Sequence, residues 1–142
     1  ESARVPLIVV DPRNARRGKV ARGLVESVDL YPTLAQLAGL AAPDGLEGQS
    51  FAPLLKSPGR RWKKAAFTEF RETNGACVGR GMRTEQWRYI EFRGRDGKVE
   101  EELYDKKKDP REFNNVAANP KYTTILEGMR GMMNDGWKAA RA

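Results

Sequence analysis

Histidine is absent from this 142-residue sequence, and cysteine occurs once, as Cys77. The first absence removes the commonest general base, the Ser-His and Cys-His nucleophile pairs, and the usual ligand for zinc or non-haem iron. The second removes internal disulfides and cysteine-rich metal centres, and leaves Cys77 to be read as a small buried hydrophobe. Apolar residues are few, 39% of the chain against 32% charged, so the core should be modest. No run approaches the roughly 18 to 20 apolar residues of a membrane span, and residues 1–20 lack the basic, apolar and small-residue order of a signal peptide. No membrane partner is therefore expected.

Positive charge is in excess. A net charge of +7 invites an anionic partner such as nucleic acid, an anionic membrane or a polysulfated sugar, and a basic anion-binding module is one reading of the whole chain. The basic residues are scattered, however, over 13–19, 56–64, 93–98 and 106–108, each at an expected loop. A solvated surface is the better reading, and no nucleic-acid partner is expected.

The run "PLIVV" (6–10), bounded by Pro6 and Pro12, has the form of a strand covered on both faces in a parallel sheet. One such strand makes no sheet, so the sequence reads as a fragment whose other strands lie in preceding chain, with self-association through 6–10 as the alternative. In 25–40, Leu30, Leu34, Leu37 and Ala38 share one helical face, Asp29 is placed as N-cap and Gly39 as the C-terminal stop. Residues 42–55 read as an ordered loop ending in an anchor of Phe51, Leu54 and Leu55, and "SPGRRWKK" (57–64) as the connection between two regions.

From residue 65 the pattern changes to short strands at 65–70, 76–84, 87–92 and 99–105, with Asp96-Gly97 signalling a type I′ hairpin. A helix follows at 119–141, capped by Asn119 and Pro120, with Tyr122, Ile125, Leu126, Met129, Met132, Met133 and Trp137 on one stripe. Gly128, Gly131 and Gly136 each weaken it by about 1 kcal/mol relative to alanine. The expected class is α+β: a small antiparallel sheet of about four strands packed by a C-terminal helix, plus one strand and helix belonging to a larger α/β domain.

The segment "ELYDKKKDPREFNN" (102–115) ends the sheet. Asp109 and Glu112 stand at i and i+3 around Pro110, which reads as a capping box, with Asn114 or Asn115 closing the turn at positive φ. As a pattern it strongly resembles the E-L-Y-D-x-x-x-D-P-x-E-x-x-N segment of the sulfatases of the alkaline-phosphatase-like superfamily. Four further blocks agree in order: "ARVPLIVVDP" with the family's R-V-P-L-I strand, "SVDLYPTLAQLAGL" with V-D-L-x-P-T-L-x-x-L-A-G, "LEGQSFAPLL" with G-x-S-x-x-P-L-L, and "GMRTEQWRYI" with R-T-x-x-x-R-Y. The nearest likeness is to iduronate-2-sulfatase-like members.

The resemblance implies the C-terminal portion of a hydrolase of sulfate esters, with a sulfated carbohydrate as substrate. Residues 1–56 would end the large α/β domain and 57–142 would form the C-terminal subdomain. It implies a formylglycine made within C/S-x-P-x-R and a calcium ion, both held in the missing N-terminal sulfatase domain. Here Cys77 is followed by Val78, Gly79 and Arg80, Ser50 has Ala52 where proline is required, and Ser57 has Gly59. No catalytic or metal-binding residue is therefore expected in this chain, and alone it should be inactive. Glu69, Arg71, Glu72 and Arg80, in and after the first two strands, are the candidates to lie near substrate, an arginine there pairing with a sugar carboxylate or second sulfate. Full-length members are commonly exported. A phosphatase or phosphonate hydrolase of the same superfamily is the rival enzyme.

Overall fold

The computed structural model describes residues 3–14, 18–72, 75 and 77–141. Residues 15–17 of the basic loop and Ala76, the expected first residue of the second strand, lie outside them. The chain divides into two compact units, one running to Lys63 and the other spanning Lys64–Arg141.

The second unit is an antiparallel meander, β1 (Ala66–Arg71), β2 (Cys77–Arg83), β3 (Trp87–Gly94) and β4 (Val99–Asp105), neighbours in space as in sequence. Alternation along each strand assigns the two faces. In register, Phe67, Met82, Tyr89 and Leu103 form one row across the sheet. That row joins Leu126, Met129 and Met133 of α3 (Thr123–Ala139) in one core, where Tyr89 and Leu103 are wholly buried. Asn119 caps the entry, its side chain accepting from Lys121 N at 3.1 Å, and Pro120–Tyr122 form a 3-10 turn before the helix. Trp87 meets Tyr122 edge to face at 5.7 Å.

Two expectations about this unit change. The hairpin between β3 and β4 is not type I′: Gly97 N donates to Gly94 O at 3.1 Å and, in that turn, positive φ falls on Gly97 alone. A I′ turn needs positive φ at both central residues, whereas a three-residue loop needs only the glycine. Trp137 does not join the core stripe. Gly136, at φ 75° and ψ −176°, breaks α3 just before it, and the indole lies under the Arg141 guanidinium at 4.6 Å instead.

The first unit carries α1 (Leu30–Leu37), preceded by a 3-10 turn at Ser27–Asp29, and α2 (Ala52–Lys56). Residues 6–10 are not a strand; Leu7, Ile8 and Val10 are exposed, and among the described residues no strand pairs with them. A strand exists by its ladder, so an apolar run without a partner stays irregular. The expected apolar stripe of α1 also faces outward, with Leu34 62% exposed, while Pro32 and Thr33 are buried. Phe51, Ala52 and Leu54 of this unit are buried, while Leu30 and Leu34 remain exposed. The helix is held through polar groups on its other face.

Candidate functional site

Asp29, written into the "SVDLYPT" block, is wholly buried and accepts four hydrogen bonds from three groups. Lys63 Nζ donates to both carboxylate oxygens at 2.6 and 2.7 Å, Gln49 N to Oδ1 at 2.7 Å and Glu26 N to Oδ2 at 2.9 Å. It stands at the N-cap position of α1 as expected, but its side chain makes no cap hydrogen bond there, its oxygens being taken up by these groups. Lys63 also reaches Glu26 at 2.8 Å. Thr33 works beside it, donating to Asp29 O at 2.6 Å and accepting from Phe51 N at 2.9 Å. Gly48 is required where it stands: a Cβ there would lie 1.9 Å from Val28 O. The "LEGQSF" block is thus a strap laid across α1. Trp62 is spent on packing, since a Cβ at Gly23 would meet it at 3.1 Å.

The second dense motif is also a latch, though not the capping box its spacing implies. Glu112 turns away from Asp109 to pair with Arg88 and Lys106, each at 2.6 Å, and itself takes the positive φ of 62° expected at Asn114 or Asn115. Burial pushes its carboxyl up, but the Lys106 hydrogen bond and the Arg88 charge outweigh that and hold it below the usual range. Two nearby cations thus win over a backbone donor. Asp109 accepts from Asn114 N at 2.8 Å. Asn115 then imitates a fifth strand: its Oδ1 accepts from Leu103 N and its Nδ2 donates to Glu101 O, both at 3.0 Å, while Val116 N donates to Leu103 O at 2.9 Å. The free edge of β4 is thereby covered.

Of the residues expected near substrate, Glu69 and Arg71 pair with each other at 2.7 Å on the exposed end of β1, and Glu72 follows them, exposed. Arg80 is hydrogen-bonded on two sides within the second unit. Its Nη1 donates to Glu91 at 3.0 Å and its Nη2 to Met133 O at 3.1 Å, a carbonyl that residue 137 would claim in an unbroken helix. The break at Gly136 lies next to that contact.

Glu69, Arg80, Glu91 and Glu101 occupy one cross-strand row on the face toward α3. Sequence reasoning missed the last two together with Tyr89 and Arg130. Tyr89 OH donates to Glu101 Oε1 at 2.6 Å, and Arg130 Nε donates to the same oxygen at 2.6 Å while its Nη2 takes Oε2. Burial, then the neighbouring Glu101 carboxylate, drives the Tyr89 hydroxyl well above its ordinary range, so it remains a donor. The Arg130 hydrogen bond lowers the Glu101 carboxyl although burial opposes it. An alternating Tyr89, Glu91, Arg93 on β3 with Arg130 on the opposing helix was the available signal. A cleft of about 300 Å3 opens here, lined by Tyr89, Glu91, Arg93, Val99, Glu101, Arg130 and Asn134.

Among the described residues no three His, Cys, Asp or Glu side chains come together as a metal site. Asp29, Glu69, Glu91, Glu101 and Glu112 are paired with Lys or Arg, and Asp109 with a backbone donor. No helix among the described residues is long and apolar enough to cross a membrane.

Sheet, latch and closing helix together define the small C-terminal α+β domain found in sulfatases. The chain belongs to the family described as "N-sulphoglucosamine sulphohydrolase, C-terminal", whose model matches residues 1–138. It is similar to two proteins of Bacteroides thetaiotaomicron. It is 33% identical to an N-acetylglucosamine-6-O-sulfatase, over 97% of this chain and 25% of that one. It is 37% identical to a Delta 4,5-hexuronate-2-O-sulfatase, over 95% of this chain and 28% of that one. The solved structure of a 2-O GAG sulfatase superposes with a TM-score of 0.66 at 34% identity, covering 79% of this chain and 24% of the other. A phosphonate monoester hydrolase of Agrobacterium radiobacter gives 0.65 at 30% identity, covering 80% and 25%. The chain therefore spans about a quarter of the length of the relatives it matches.

Proposed function

We propose that these residues are the C-terminal portion of a sulfatase that hydrolyses sulfate esters of a sulfated sugar, and that they carry neither its nucleophile nor its metal ligands. The family match along residues 1–138 carries this reading. The names of the two Bacteroides relatives, both sugar sulfatases, support the substrate class. The phosphonate hydrolase among the structural neighbours supports a second reading, a phosphonate or phosphate ester hydrolase, which the sequence relatives favour less. A nucleic-acid module is disfavoured, because Lys63, Arg80, Arg88, Lys106 and Arg130 are engaged in ion pairs and Trp62 in packing.

On this reading the partner of the first unit is the preceding sulfatase domain. It would cover Leu7, Ile8, Val10 and the exposed leucines of α1, and self-association through residues 6–10 would substitute for it when it is absent. The nucleophile and cation belong to that partner, where a metal and converging cations stabilise developing oxyanion charge. This chain supplies the strap, the latched sheet and the residues around the cleft. The test is to assay the chain, and the longer polypeptide encoded with it, on an aryl sulfate, a sulfated sugar and a phosphonate monoester with calcium present. The short chain should release no sulfate, and the long one should prefer sulfate esters. Turnover by the pure short chain, or preference for the phosphonate, would overturn the reading.

A further inference from the structure

The two edges of the sheet are treated differently. Asn115 and Val116 cover the outer edge of β4, whereas among the described residues no strand lies beyond β1. Thr68, Glu69, Phe70 and Arg71 are all exposed there. The ladder fixes which of them have backbone groups to offer. Glu72 N donates to Cys77 O at 3.1 Å, continuing the pairing of Arg71 with Val78, so residues 68, 70 and 72 spend their N–H and C=O groups on β2. Those of Glu69 and Arg71 are directed outward. The strand keeps unbroken register and contains no proline, so its edge carries none of the backbone devices that stop strand addition.

We propose that the edge of β1 joins a second copy of this chain, β1 against β1 in antiparallel order about a two-fold axis through Phe70. Charge selects the register. With Phe70 opposite Phe70 of the second copy, Glu69 of each chain faces Arg71 of the other, and the pair these residues already make within one strand at 2.7 Å grows into an alternating cluster of four charges. Moving the axis one residue along sets Glu69 against Glu69 or Arg71 against Arg71. The same register suits the backbone, because Glu69 and Arg71 become the hydrogen-bonded pair, exchanging N–H and C=O groups across the axis. Phe70 falls at the non-hydrogen-bonded position, where side chains stand closest. It is 59% exposed and lies beside Phe92 over Gly79, where a Cβ would meet both rings. Joining two copies extends that pair into an apolar row across the combined sheet. An apolar peptide is disfavoured as occupant because nothing in it answers the alternation of Glu69 and Arg71. The inference rests on the edge of β1 and holds whatever the longer protein hydrolyses.

The test is sedimentation equilibrium and oxidative crosslinking of the 142-residue chain in an Ile8→Lys background, so that association through residues 6–10 is not counted. The contact is short, so a weak dimer that grows with concentration is expected. Glu69→Arg sets arginine against arginine on both sides of the axis and should weaken the dimer about tenfold or more, while the exchange Glu69→Arg with Arg71→Glu should restore it. With Cys77→Ala added, Phe70→Cys should form an intermolecular disulfide, since Cα atoms at a non-hydrogen-bonded pair stand about 4.5 Å apart. Thr68→Cys, held away from its own counterpart by the register, should not. The proposal fails if the chain is monomeric at about 0.5 mM, if Glu69→Arg dimerises as well as the parent, if the exchanged pair does not regain the dimer, or if Thr68→Cys crosslinks as readily as Phe70→Cys.

Discussion

The two units of this chain solve the same problem by opposite means. Residues 64–141 bury a core row of Phe67, Met82, Tyr89 and Leu103 under the methionines of one helix, and cover the last sheet edge with Asn115. Up to Lys63 the order is reversed: Leu7, Ile8, Val10, Leu30 and Leu34 face outward, and the deeply buried groups include an aspartate, a threonine and a lysine. On the proposed reading, the leucines exposed here are the face that the preceding sulfatase domain would cover. Buried polar pins are a weak source of stability, and beside them the first unit buries the apolar Phe51, Ala52 and Leu54, a smaller set than the core of the second unit, so the first unit should be the more easily disrupted.

The largest expected effect comes from removing the pin. Lys63→Met leaves the Asp29 carboxylate buried with only backbone donors, and should cost about 3 to 5 kcal/mol. Amide exchange in residues 30–37 should then become fast, and the Asp29→Asn, Lys63→Met double variant should recover part of the loss. If the single variant exchanges like the parent, the first unit is not held as described. In the second unit, Leu103→Ala should lower stability by about 2 to 5 kcal/mol in a denaturant melt, since Leu103 is wholly buried in the core. A cost below about 1 kcal/mol would mean that the core is looser than the packing implies.

Acid should narrow the contrast. The Glu101 carboxyl is held below its ordinary 4.5 by the Arg130 hydrogen bond, with burial opposing and the Tyr89 hydroxyl helping. Its contribution is therefore fully present above that value and is lost as pH falls through the lower folded value. A melting series should show the second unit weakening below about pH 4.5, and Glu101→Gln should flatten that fall. An unchanged acid limb in the variant would remove Glu101 from the explanation. The smallest effect is a gain. Gly128 lies in helical backbone with open space around its Cβ position, so Gly128→Ala should add about 0.5 to 1 kcal/mol. The same change at Gly136, which has φ 75°, should instead destabilise.

The sheet and the last helix were legible because period-2 alternation and a capped apolar stripe are local signals that tertiary packing reinforced. The run at 6–10 misled because its β-branched residues specify what a strand would need without supplying the partner that makes it one. Asp109 and Glu112 misled differently, as their spacing fits a capping box while Arg88 and Lys106, distant in sequence or unrecognised, offer a stronger partner. The collinear motif blocks pointed to the family, yet the structure assigns their polar residues to holding the fold. The cleft around Arg93 and Arg130 stayed hidden because it joins residues some forty positions apart, a pairing no local pattern encodes.

The most direct test of the contrast is hydrogen exchange measured residue by residue on this chain alone and on the longer sulfatase polypeptide that the proposal requires. In the short chain, amides of 66–71, 77–83, 87–94 and 99–105 should be protected, and those of 5–10 should exchange near the unfolded rate; in the longer protein residues 5–10 should become protected. Protection of 5–10 in a monomeric short chain, or continued fast exchange there in the longer protein, would contradict the claim that the outward apolar face awaits a partner from the same polypeptide.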